Sequence, residues 1–107
     1  MELSQKKCVP CEGGVSKLTM DEVDRYISEL NTDWEIIESN KIKRTFHFVN
    51  FVQTMDFVYK VAETAEAEGH HPDLHISYGK CEVELWTHAI GGLSENDFIL
   101  ASKIDKL

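Results

Sequence analysis

Very little in this chain interrupts or crosslinks it. Only two prolines, Pro10 and Pro72, and six glycines occur in 107 residues, which excludes a collagen-like or low-complexity polymer. No apolar run approaches the ~18 residues of a membrane-spanning helix. The opening MELSQKKCVP lacks the hydrophobic stretch of a secretory signal, so a cytoplasmic location and no membrane partner are expected. Cysteine is scarce and odd in number, with Cys8, Cys11 and Cys81 only, which argues against a disulfide framework. Bases are outnumbered eleven to nineteen, giving a net charge of −8, and they are scattered. No basic stripe exists to neutralise phosphates, so nucleic acid is not an expected partner. Phosphate-cradling glycine loops, dinucleotide fingerprints and nucleophile elbows are missing too, and covalent, nucleotide and hydride chemistry lose support with them.

What remains is an ordinary globular composition, 42% hydrophobic and 28% charged, long enough for one core. A single domain over residues 1–107 is expected, with residues 1–18, which contain Cys8-Val9-Pro10-Cys11, as an N-terminal extension. The Cys-x-x-Cys spacing fits a redox pair or half a zinc site, but a second ligand pair would have to come from Cys81 and the histidines.

Thr19, with Glu22 three residues on, has the form of a capping box, and Val23, Tyr26, Ile27 and Leu30 form a stripe, predicting a helix from Met20 to Leu30. Trp34 to Glu38 and Lys41 to Val49 read as a hairpin, with Ile42, Phe46 and Phe48 on one face of the second strand and Arg44 as the exception there. Asn50 caps a long helix, Phe51 to Glu68, ended by Gly69. Phe51, Met55, Val58, Ala62 and Ala65 form its expected seam. Val52, Phe57, Tyr59 and Val61 lie outside that seam, so either part of the helix meets another subunit or these residues pack on the first and last helices. Pro72 opens a strand through Leu74, Ile76 and Tyr78, Gly79-Lys80 turns, and Cys81 to His88 returns with Val83 and Leu85 inward. Ser94 to Asp97 leads into a final helix through Phe98, Ile99, Ala101 and Ile104. The order α-β-β-α-β-β-α predicts an α+β fold, an antiparallel sheet with helices on one face.

The chemistry concentrates where His70, His71 and His75 fall within six positions. They follow a helix whose last turns carry Glu63, Glu66 and Glu68, against the macrodipole. Glu66, four residues before His70, is placed to orient an imidazole or hold a ligand N–H. Glu63 and Glu68 are read either as a solvated acidic face or as part of the site. Pro72 keeps His71 extended, so the adjacent rings diverge and do not suit one metal. Zinc-protease spacing is absent, no metal is expected, and imidazoles with ordinary values near neutrality suit proton transfer. His88, preceded by Trp86-Thr87 and followed by Ala89-Ile90, offers free main chain beside an aromatic plate, as a flat heterocycle requires, although Trp86 fits an interface core equally. His47 and His75 have no special context.

Glu66-Ala67-Glu68-Gly69-His70-His71-Pro72-Asp73, Trp86-Thr87-His88 and Gly92-Leu93-Ser94-Glu95-Asn96-Asp97 resemble the pterin-4a-carbinolamine dehydratase family. Cys8-Val9-Pro10-Cys11-Glu12-Gly13-Gly14-Val15 and Leu18-Thr19 resemble the N-terminal segment of its microbial and plant-like members. The resemblance implies a four-stranded antiparallel sheet with three helices on one face, assembled as a homodimer or homotetramer, and no cofactor. It implies removal of water from 4a-hydroxytetrahydropterin to give quinonoid dihydropterin, which recycles the pterin of aromatic amino acid hydroxylases. Carried over by position, His70 and His88 are acid and base, and His71 binds or assists. Pro72, Thr87, Ala89 and Ile90 shape the pocket, and Glu66 and Asp97 hydrogen-bond or orient ring nitrogens and imidazoles. The chain departs from vertebrate members at Leu74 and Trp86, where they place an aromatic and a serine. The non-enzymatic alternative is a scaffold or dimerisation cofactor using the long apolar helix.

Overall fold

The computed structural model describes residues 2–9 and 16–107. Cys11 and the rest of residues 10–15, half of the Cys-x-x-Cys motif and most of the N-terminal resemblance, lie outside the described residues. Three helices, α1 (Met20–Ile27), α2 (Phe51–Glu68) and α3 (Glu95–Ile104), alternate with the hairpins β1 (Glu35–Ile37) and β2 (Lys41–His47), then β3 (Asp73–Ser77) and β4 (Lys80–Leu85). The four strands form one antiparallel sheet in the order β1-β2-β4-β3.

Local chemistry sets the ends of these elements. The Thr19 N–H donates to Glu22 Oε1 at 2.9 Å and the Glu22 N–H to Thr19 Oγ1 at 3.3 Å, the reciprocal box that starts α1. That helix stops at Ile27, three residues earlier than its stripe predicts, because its last turn tightens: the Glu29 and Leu30 N–H groups bond carbonyls three residues back. Leu30 nonetheless reaches the core. Asn50 Oδ1 accepts the Gln53 N–H at 2.8 Å to open α2, and Gly69, at φ +66°, closes it in the left-handed conformation a side chain would resist.

Register puts Ile36, Ile42, Arg44, Phe46, Leu74, Cys81, Val83 and Leu85 on one sheet face. The three helices cover this face. Phe98, Leu100 and Ile104 of α3 are completely buried, and each such side chain stabilises the fold by about 1.5–3 kcal/mol. The opposite face carries Lys43, Thr45, His47, His75, Glu82 and Glu84, with Lys43 and Glu82 3.6 Å apart. Arg44, the charge on the apolar face, is paired there: its Nη1 donates to Asp105 Oδ1 at 2.6 Å, and Trp34 Nε1 donates to the same oxygen at 2.8 Å, while the buried Arg44 Nε has no partner among the described residues.

Three expectations are corrected. The buried seam of α2 is Thr54, Phe57, Val61 and Ala65, whereas Phe51, Val52, Met55, Tyr59 and Ala62 are exposed. The helix is apolar on two sides, both satisfy a 3.6-residue period, and the sheet selects only one. The strand after Pro72 stops at Ser77, one residue short of Tyr78, which lies in the turn; Tyr78 and Ile76 of this edge strand are exposed. The last strand ends at Leu85 because the Thr87 N–H leaves the sheet to donate to the Gly92 carbonyl at 2.8 Å. His88 therefore opens a short 3-10 turn, His88–Ile90, instead of ending a strand.

Candidate active site

Because β3 begins where β4 ends, the turn after α2 and the loop before α3 meet at one end of the sheet. Between them lies a cavity of about 400 Å³ lined by Gly69, His70, His71, Pro72, Asp73, Trp86, Thr87, His88 and Ala89. A larger groove of about 530 Å³, lined by Ser4, Lys60, Thr64, Lys103 and Lys106 among others, holds no histidine. The smaller cavity is where three of the histidines converge.

Gly69 turns the chain so that the His70 N–H caps the Ala65 carbonyl at 3.2 Å and its ring turns inward. His70 Nε2 lies 2.6 Å from Asp97 Oδ1. Asp97 is fully buried, and its other oxygen accepts the Thr87 hydroxyl at 2.8 Å and the Ser94 N–H at 2.9 Å. With donors on Oδ2 from two partners, the carboxylate acts as acceptor, and His70 Nε2 carries the proton toward it. Nδ1 then holds a lone pair. It has no partner among the described residues, and His70 is one of the residues that line the cavity.

His71 diverges as extended backbone requires, pairing with Glu66 through Nε2 to Oε2 at 2.8 Å, both side chains being exposed. Glu66 thus orients an imidazole, but that of His71, whereas His70 takes Asp97. His88 stacks on Trp86 with ring centroids 4.0 Å apart. Trp86 is held by donating Nε1–H to Asp73 Oδ2 at 3.1 Å, with Lys41 Nζ 5.1 Å from its ring centre. Trp86 is therefore committed to His88.

Of the expected site residues, His70, His71, Pro72, Thr87, His88 and Ala89 line the cavity, whereas Glu66, Ile90 and Asp97 do not. Asp97 stands behind His70, beyond reach of a ligand. Gly69 and Asp73 are walls that sequence reasoning did not single out. Asp73 stands opposite Glu84 and reaches the indole two residues further on; its place at the end of the Glu66–Asp73 motif was the signal for it. Glu68 is not part of a solvated face. Its side chain keeps 6% exposure and accepts the Cys8 N–H at 2.8 Å. That bond, assisted by Lys103, holds its carboxyl below the usual range. His75 lies 3.6 Å from Glu84 on the helix-free face. Among the described residues no three His, Cys, Asp or Glu side chains converge as metal ligands.

Fold and cavity together define the class: a small α+β enzyme domain with an imidazole cluster at one end of its sheet. Residues 16–107 match the family model described as pterin 4 alpha carbinolamine dehydratase. A provisionally named pterin-4-alpha-carbinolamine dehydratase of Rickettsia canadensis (strain McKiel) is 52% identical over 103 residues, 96% of this chain and 94% of the relative. Another, of Nitrosomonas europaea, is 51% identical over 106 residues, 99% and 93% of the two chains. The crystal structure of a transcriptional coactivator/pterin dehydratase from Brucella melitensis covers 85% of this chain and 97% of its own at TM-score 0.79 and 29% identity. A pterin dehydratase-like RuBisCO assembly factor of the alpha-carboxysome shares the fold at TM-score 0.61 and 20% identity, over 71% of this chain and 89% of its own. The chain belongs to the pterin-4-alpha-carbinolamine dehydratase family and is an enzyme of the hydro-lyase class. No helix among the described residues is long and apolar enough to cross a membrane.

Proposed function

We propose that the protein removes water from 4a-hydroxytetrahydropterin to give quinonoid dihydropterin by histidine acid–base catalysis. The observation that carries this reading is the cavity in which His70 and His88 face one space, with His70 fixed from behind by Asp97. The C4a–O bond breaks, its oxygen leaves as water after gaining a proton, and the N5 proton departs as the C4a=N5 double bond forms. His70 Nδ1, lone pair outward, takes the N5 proton, and His88 delivers one to the leaving oxygen. Assistance of this kind contributes roughly 10²–10⁴-fold. His71, Pro72, Thr87 and Ala89 shape the pterin site, Ile90 supports its loop, and Glu66 and Asp97 orient the imidazoles. No metal or organic cofactor takes part in this mechanism.

The metabolic place of the reaction is recycling of the pterin used by aromatic amino acid hydroxylases, in the cytoplasm. Assembly into a homodimer or homotetramer is supported by the uncovered apolar side chains Phe51, Val52, Met55 and Tyr59 along α2. No observation favours the scaffold alternative over the enzyme. Stopped-flow absorbance with chemically generated 4a-hydroxytetrahydropterin tests the proposal: wild type accelerates its decay, His70→Ala and His88→Ala return it toward the spontaneous rate while folded, and wild type at the spontaneous rate would overturn the reading.

A further inference from the structure

The segment before residue 16 lies outside the family match, and no step of the proposed reaction uses it. We propose that Leu3–Val9 is a strap that holds the ends of α2 and α3 at the spacing the His70–Asp97 bond needs, with Glu68 and Asn96 as positioning residues. The kinetic part of the inference rests on the dehydratase reading.

The near end of the strap is anchored by burial and charge. Leu3 is buried against the core, Lys103 Nζ donates to the Ser4 carbonyl at 3.0 Å, and Lys6 pairs with Glu95 at 2.9 Å. Its far end makes the tie. The Cys8 N–H donates to Glu68 Oε1 at 2.8 Å, the Val9 N–H donates to Asn96 Oδ1 at 3.0 Å, and the Asn96 amide N–H returns to the Val9 carbonyl. Adjacent Cα atoms are ~3.8 Å apart, so one peptide unit links the last residue of α2 to the second residue of α3. Glu68 stands two residues before His70, and Asn96 immediately precedes Asp97. The 2.6 Å His70–Asp97 bond spans the same two helix ends, and misplacement of a catalytic group by ~1 Å can cost about 10²-fold.

The tie is geometric, since Val9 itself is 65% exposed and its grip is entirely main chain. Cys8 belongs to this tie through its position. Its thiol lies 3.6 Å from the Asn96 carbonyl, and burial, reinforced by Glu68, pushes it up to about 12, which favours the protonated thiol beside that carbonyl.

The test uses the full chain carrying Val9→Pro, Asn96→Ala or Glu68→Ala, beside Glu68→Gln, which keeps an acceptor for the Cys8 N–H, and Lys43→Met, which touches only the pair with Glu82 on the helix-free face. The first three are expected to lower kcat at least five-fold with KM within two-fold, and to replace the single Nε2–H tautomer of His70 in ¹⁵N spectra by an averaged signal. Glu68→Gln and Lys43→Met stay within two-fold of wild type. The proposal is overturned if the variants keep kcat and the His70 tautomer although amide exchange at residue 8 shows the strap released. Val9→Pro removes one main-chain donor of the tie at a residue whose side chain is exposed, and it decides the matter if Asn96→Ala does not fold. If wild type shows no dehydration, the dehydratase reading fails by itself, and the His70 tautomer alone upholds or overturns the strap.

Discussion

Replacing Asp97 by asparagine changes almost no volume yet reverses the polarity of one hydrogen bond. In the native arrangement Oδ2 accepts from the Thr87 hydroxyl and the Ser94 main chain, and Oδ1 accepts from His70 Nε2. An asparagine has one acceptor and one donor end. If its NH₂ faced Thr87 and Ser94, the Ser94 N–H would meet another donor in a site with no solvent access, at a cost of about 1–3 kcal/mol for the orphaned group. The amide oxygen therefore keeps Thr87 and Ser94, and its NH₂ points at His70. Nε2 must then accept, so the proton moves to Nδ1, the nitrogen proposed as the proton acceptor. The base is blocked while fold and volume are retained. The expected loss is the acid–base share of the rate, roughly 10²–10⁴-fold in kcat, with KM changed less than three-fold. Stopped-flow dehydration measures the rate, and ¹⁵N shifts of the His70 ring report the tautomer. An Asp97→Asn protein whose His70 has switched to Nδ1–H but whose kcat remains within three-fold of wild type would refute Nδ1 as the proton acceptor.

Two other expectations concern stability. Asp105→Asn removes the nearer of the two carboxylates beside Arg44, whose side chain is only 16% exposed, leaving Asp33 at 3.7 Å, and should lower unfolding free energy by about 1–3 kcal/mol in urea titrations. Its kcat should stay within two-fold, because Asp105 lies past the far end of a ten-residue helix, about 15 Å from the cavity end. Glu68 titrates below its ordinary value of 4.5 when folded. Its stabilisation is thus complete above that value and is lost as pH falls from there through the lowered one. Thermal melts from pH 7 to pH 3 should show a shallower acid slope for Glu68→Gln than for wild type, and identical slopes would contradict the role of the Cys8 N–H in holding this carboxylate charged.

The legible part of the fold was whatever is encoded within one turn or one strand. Thr19 with Glu22, Asn50 with Gln53, and Gly69 are local devices whose partners stand a few residues away, so the starts and stops they mark appear at the positions their chemistry dictates. The histidines at 70, 71 and 88 were legible as chemistry because imidazoles beside a proline and a strand end have no ordinary packing role. Illegible were the choice of seam on α2, whose two apolar sides are equivalent until a sheet covers one, and the partner of His70. Glu66 has the spacing to reach back to an imidazole, but the left-handed turn at Gly69 swings His70 inward and leaves His71 beside that acid.

Caps, alternation and motif spacing alone therefore determined the element order, the antiparallel α+β class and the two segments that carry the imidazoles. Only the tertiary structure decided that Asp97, 27 positions on, orients His70, and that the N-terminal strap reaches Glu68 across 60 positions and Asn96 across 87. Those contacts depend on where two helix ends converge after the sheet has formed. Local sequence sets the conformation of each end, and the packing of the whole core sets the gap between them.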